Sequence, residues 1–135
     1  MKEEYSDTVF RGSYPTGGRP AKFAIVTACN PDGQDAAPGE NAEATALLSQ
    51  DLMERGLVFS KMLGGSRDWQ HVEEGFLIVC DLQTSIRLGR AYHQDAVFWV
   101  EGDEMMLVSC KDSQIVGLGS WEKRYLGTSC DEASE

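Results

Sequence analysis

Two segments with helical periodicity, each set between strand-length apolar runs, limit the folds open to this chain more than any other feature. From Pro38 onward, Ala44, Leu47, Leu48 and Leu52 recur at i, i+3, i+4 and i+8, the spacing of one helix face, and Gly56 stops the helix. From Leu82 to about His93, Ser85, Leu88, Gly89 and Tyr92 fall on one small-and-apolar face, with Asp81 placed as N-cap. Strand candidates surround them at Lys22–Cys29, Leu57–Leu63, Gly75–Asp81, Ala96–Val100 and Met105–Ser109, the last two joined by a tight hairpin at Glu101–Glu104. The order from Lys22 is strand, helix, strand, strand, helix, strand, strand. It predicts an α+β fold: a ferredoxin-like βαββαβ sandwich with an additional C-terminal strand, two helices lying on one face of a mainly antiparallel sheet.

A length of 135 residues suits a single domain over 1–135, with an N-terminal strand and loop at 1–21, an α/β core at 22–110 and a C-terminal extension at 111–135. Tyr5–Arg11 suits a short strand, and Gly12–Pro20, with five glycines and prolines, a loop. In the extension, Trp121 and Tyr125 stand four apart, which fits docking as a short helix or as a strand. No apolar run approaches the roughly 18 residues of a membrane helix. The opening "MKEEYSDTVF" lacks the apolar stretch of a secretory signal, so a cytoplasmic protein without membrane contact is expected. A net charge of −10 argues against the basic surface that nucleic acid requires. Cys29, Cys80, Cys110 and Cys130 form no C-x-x-C pair and read as reduced structural thiols.

This topology brings three segments distant in sequence to one end of the sheet: "TACNPDG" with "GEN", "GGSRDWQHVEE" and "YHQDA". Loops held by a rigid scaffold are where function concentrates. Asn30, Asn41 and Gln94 offer amides that orient a ligand without titrating, although Asn30 before Pro31 also suits an Asx-turn and Asn41 a helix cap. Trp69 either plugs the edge of the core or stacks on a planar ligand. Arg67 grips a carboxylate or phosphate, or pairs with the acids around it. Gly64 and Gly65 suit a close backbone approach or a strand-end turn. Glu73 and Glu74 point to opposite faces of a strand, so only one of them can face the cleft. His71 and His93 belong to no recognised metal spacing, so no metal and no other cofactor is expected.

"FAIVTACNPDG", then "EN" at Glu40 and Asn41, "GG" at Gly64 and Gly65, "W…EEGFLIV" from Trp69 and "LGRAYHQDAVFW" from Leu88 resemble bacterial family 3293 of the domains of unknown function. Its members typically read I-T-A-x-N-P, E-N opening a helix, a glycine pair, W-x-E-x-S-F, and F-G-Q-x-A before a strand. The likeness covers about Phe23 to Val108, and the matching positions are Thr27, Asn30, Pro31, Asn41, Gly65, Trp69, Glu74, Phe76 and Gln94. Two positions depart from the pattern: Gly75 stands where a serine is common, and "YHQ" replaces Phe-Gly-Gln. The resemblance implies a shared polar edge and supplies no established activity.

Three functions follow as expectations. The first is a small binding domain holding a polar small molecule, nucleotide or amino-acid-like, through Thr27, Asn30, Asn41, Gly65, Arg67, Trp69, Glu74 and Gln94. The second is a hydrolase or transferase with Glu74 or His93 as acid or base and Asn30, with the backbone near Gly64, facing developing negative charge. The third is an acidic module that engages or inhibits a protein partner.

Overall fold

The computed structural model describes residues 7–128. Ten elements succeed one another: β1 (Val9–Gly12), β2 (Lys22–Thr27), a single 3₁₀ turn (Pro31–Gly33), α1 (Pro38–Glu54), β3 (Val58–Gly65), β4 (Val72–Val79), α2 (Leu82–Ala91), β5 (Ala96–Glu101), β6 (Glu104–Ser109) and β7 (Ile115–Ser120). Local chemistry sets the helix ends. Pro38 opens α1 while Glu40 accepts a hydrogen bond from the Ala37 N–H, and Gly56, at φ 71°, lets the chain leave it. Asp81 caps α2 by accepting from the Thr84 N–H at 2.7 Å.

The expected sequence of elements from Lys22 is present, but the ferredoxin-like sandwich is not what they build. All seven strands join one antiparallel sheet in the order β1-β3-β4-β2-β5-β6-β7, and that sheet curls into a half-barrel with the helices outside it. The reason lies in the central strands. A two-layer sandwich covers one face of its sheet, whereas "FAIV" in β2 and "FLIV" in β4 alternate with nothing polar, so both faces need cover. Ala24, Val26 and Ile78 pack under Leu48 and Leu52 of α1 and Ile86 and Leu88 of α2. Phe23, Ile25 and Leu77 point the other way, into a second core with Phe10, Met62, Val100, Met105 and Trp121. Each fully buried side chain of this size stabilises the fold by about 1.5–3 kcal/mol.

Curling brings the sheet's two ends toward each other. Phe10 of β1 meets Phe98 of β5 edge-to-face at 5.1 Å, although three strands separate β1 from β5 in the sheet order. The stretch after β7 then runs beside β1: the Phe10 N–H donates to Arg124 O and the Leu126 N–H to Phe10 O, both at 2.8 Å. Arg124 clasps both sides, donating from Nη1 to Thr8 O at 3.1 Å and from Nη2 to Leu118 O at 2.9 Å. The tail, open to helix or strand in the sequence, is thus β7 followed by a turn in which Trp121 is fully buried.

Leu47 differs from its expected place. It falls within the apolar stripe of α1 by spacing, yet it is 57% exposed, because Leu48 and Leu52 with half-buried Ala44 already fill the space over the sheet. Cys29, Cys80 and Cys110 are free thiols, and burial pushes Cys80 up to about 12 and Cys110 up to about 11. Cys130, with Tyr5 and Ser6 of the expected first strand, lies outside the described residues. Among the described residues no helix is long and apolar enough to cross a membrane.

Candidate functional site

Thr27 ends β2 and stands in register with Gly75 of β4, so the chain departs from β2 beside Glu73. Its hydroxyl donates to Glu74 O at 2.8 Å and accepts from the Cys29 N–H at 3.0 Å, which starts the turn. Asn30 continues it with a left-handed backbone, φ 50°. The Asn30 side chain is a three-way junction: Oδ1 accepts from the Ala36 N–H and from Asn41 Nδ2, each at 3.0 Å, and Nδ2 donates to Glu73 Oε2 at 2.8 Å. The Asn30 N–H in turn donates to Asn41 Oδ1 at 2.8 Å, locking the loop to the first turn of α1.

The turn between α2 and β5 joins from the other side. Gln94 Nε2 donates to Cys29 O at 3.0 Å and to Tyr92 O at 3.2 Å, while the Asp32 N–H donates to His93 O at 2.6 Å. Asp32 and His93 are also left-handed, at φ 58° and 56°. That conformation costs roughly 1–2 kcal/mol per non-glycine residue, least for Asn and Asp, and it persists only where surrounding bonds enforce it. Three of the five left-handed non-glycine residues among those described meet at this junction, the other two being Trp69 and Ser113.

The chemistry displayed there is acidic. The Asp32 and His93 side chains are 75% and 68% exposed, with Oδ1 and Nδ1 3.9 Å apart. Asp35, Glu40 and Asp95 belong to the same segments. Among the described residues no three His, Cys, Asp or Glu side chains are grouped to hold a metal ion.

The loop between β3 and β4 turns away from this junction. It is bound to itself through Ser66, whose hydroxyl donates to Asp68 Oδ1 at 2.6 Å and accepts from the His71 N–H at 3.1 Å. The Ser66 hydroxyl, with the Gln70 N–H that donates to the same oxygen at 3.1 Å, holds the Asp68 carboxyl below the usual carboxylate range. Trp69 lies on Gly65, its ring carbons 2.9 Å from where a Cβ there would sit, and the Arg11 guanidinium lies 5.1 Å from its ring centroid. Both contacts are on the β1 side. Arg67 also leans that way, 3.7 Å from Asp7, and the Glu74 carboxylate pairs with Lys61 at 3.2 Å.

Thr27, Asn30, Asn41 and Gln94 are therefore drawn into one network, whereas Gly65, Arg67, Trp69 and the Glu74 side chain are placed outside it. Glu73 is the member that sequence reasoning passed over: it recognised that only one of Glu73 and Glu74 could face the cleft and named Glu74. Its signal was register: with Thr27 opposite Gly75, the residue two places before Gly75 projects past the end of β2, toward Asn30.

Gly75 leaves no space for a side chain, since a Cβ would lie 2.8 Å from Val26 O and 3.4 Å from Met62 O. Introducing serine, Gly75→Ser, is expected to destabilise the fold by about 1–3 kcal/mol, read from urea melts. A variant as stable as the wild type would show that β2 and β4 separate more easily than this register implies.

Residues 26–97 match a family described as "Protein of unknown function (DUF3293)". The matched stretch runs from the end of β2 into β5 and contains all three converging segments. No curated protein and no solved structure matches the chain.

Proposed function

The chain belongs to the DUF3293 family, and we propose that it is a binding module whose acidic loop end, formed by residues 29–35, 73 and 93–95, holds a small polar ligand carrying a cationic amine. The observation that carries this reading is the junction at Asn30, where three left-handed residues are held by bonds from three separate segments. Backbone strain of this kind is retained where a surface must be ready before its ligand arrives. The amides shape the rim. Glu73, placed there by its bond to Asn30, and the exposed Asp32 supply the charge. A net charge of −10 favours an amino-acid-like amine over a nucleotide. Three free thiols are in keeping with action in the cytoplasm.

Thermal-shift measurements with free amino acids, diamines and mononucleotides test the proposal. At 100 times its dissociation constant an amine is expected to stabilise the wild type by about 2.7 kcal/mol and to lose that effect on Glu73→Gln, with mononucleotides inert. Stabilisation by a nucleotide, or an amine response that Glu73→Gln leaves unchanged, would count against it.

A further inference from the structure

We propose that the face of β1 and β3 beside Trp69 is a second ligand site, separate from the loop junction, and that it takes a carboxylate borne on an uncharged apolar body. The site is layered. Gly65 is its floor, since a Cβ there would lie 2.9 Å from the indole; Trp69 rests on that floor, and the Arg11 guanidinium lies over the indole, 5.1 Å from the ring centroid. The β3–β4 loop holds Trp69 there at a conformational cost. Its backbone is left-handed at φ 59°, an outlier for so bulky a residue, and it is fixed by the Trp69 N–H donating to Ser66 O at 2.8 Å and the Ser66 N–H to His71 O at 2.9 Å. Trp99 and Trp121 fill the cores and are buried, whereas Trp69 is only half-buried.

Arg11 is the group that the fold leaves unanswered. The chain has 22 acidic residues against 12 basic, yet among the described residues the Arg11 side chain forms neither a salt bridge nor a hydrogen bond. Its Nε is buried without a partner, while the two terminal nitrogens are not buried. A guanidinium stripped of water along one edge presents the other to an anion, and its two terminal N–H groups match the two oxygens of a planar carboxylate. The nearby acids are engaged elsewhere: Glu74 by Lys61 at 3.2 Å, Asp7 by Arg67 at 3.7 Å and Asp68 by the Ser66 hydroxyl at 2.6 Å. The surroundings then select the ligand. Leu63, opposite Arg11 in the sheet, is half-buried, and Val72, opposite Gly65, is exposed, so apolar surface borders the fork. The ammonium of a free amino acid would come up against the guanidinium that its own carboxylate pairs with, and the second charge of a phosphate would face a chain of net charge −10.

The test follows the indole N–H resonance of Trp69, identified by its loss in Trp69→Phe. Wild-type protein is titrated at constant ionic strength with benzoate, with its neutral counterpart benzamide and with inorganic phosphate. Benzoate is expected to shift the resonance saturably, and the other two to bind at least about tenfold more weakly. Arg11→Gln and Arg11→Lys are each expected to weaken benzoate by about tenfold or more, the second because it keeps the charge and loses the fork. Circular dichroism checks that both stay folded. Glu73→Gln is expected to leave benzoate binding unchanged, which separates this site from the loop junction. Benzamide or phosphate binding as tightly as benzoate, Arg11→Lys binding as the wild type does, or no saturable shift in the wild type would overturn the proposal. A benzoate response lost in Glu73→Gln would overturn it in favour of the loop junction.

Discussion

Replacing Trp121 by alanine is expected to destabilise the fold by about 3–5 kcal/mol, the largest loss from any single truncation in the inner core. The indole is fully buried and touches three rings: Phe10 at 5.2 Å, Phe23 at 5.3 Å in an edge-on contact, and Tyr125 at 5.4 Å in a stack. Its Nε1–H donates to the Tyr14 hydroxyl at 2.9 Å, so truncation also orphans a polar group. Those rings come from β1, from β2 and from the segment after β7, which makes Trp121 the piece that closes the half-barrel. Urea melts measure the loss, and Trp121→Phe should recover part of it. A cost below about 1 kcal/mol for Trp121→Ala would mean that β1 and the tail are dispensable to the core.

Asn30→Ala is expected to cost about 2–4 kcal/mol. One part is conformational, because alanine at φ 50° loses the tolerance that Asn has for the left-handed region. The other part is the loss of three side-chain hydrogen bonds, which leaves the Ala36 N–H, the Asn41 amide and the Glu73 carboxylate without this partner. Glycine separates the two. Asn30→Gly restores the backbone part, so it should be about 1 kcal/mol more stable than Asn30→Ala while binding ligand as poorly. Equal stability of the two variants would show that backbone conformation contributes nothing there. Ligand affinity retained in both would detach the junction from binding.

Much of this arrangement could be read from the chain, and what could not has physical causes. That the loop after β2, the start of β4 and the turn before β5 share one end of the sheet follows from the order of strands and helices, since successive elements reverse direction, whereas the β3–β4 loop itself turns away. Asn30, Asn41 and Gln94 stood out as amides in those segments, and the fold joins all three. The architecture was misjudged because the helical periods drew attention to one face of the sheet. The unbroken apolarity of "FAIV" and "FLIV" was the available sign that the opposite face is covered as well. What covers it, Phe10 and Trp121, lies more than 100 residues apart in sequence, and no local pattern links the two. Leu47 was misplaced because spacing gives the direction of a side chain around a helix and not whether the sheet beneath has room for it. Glu73 against Glu74 depended on pairing register, which alternation within one strand does not supply.

The central claim, that the loop end is a pre-shaped site for an amine-bearing ligand, is tested most directly by titrating ¹⁵N-labelled protein with free amino acids and following its amide resonances. The account predicts saturable shifts confined to residues 30–36, 73–74 and 93–95, absent in Glu73→Gln. Saturable shifts confined to α1 or to the β3–β4 loop, or no saturable shift at those residues at any concentration, would contradict it.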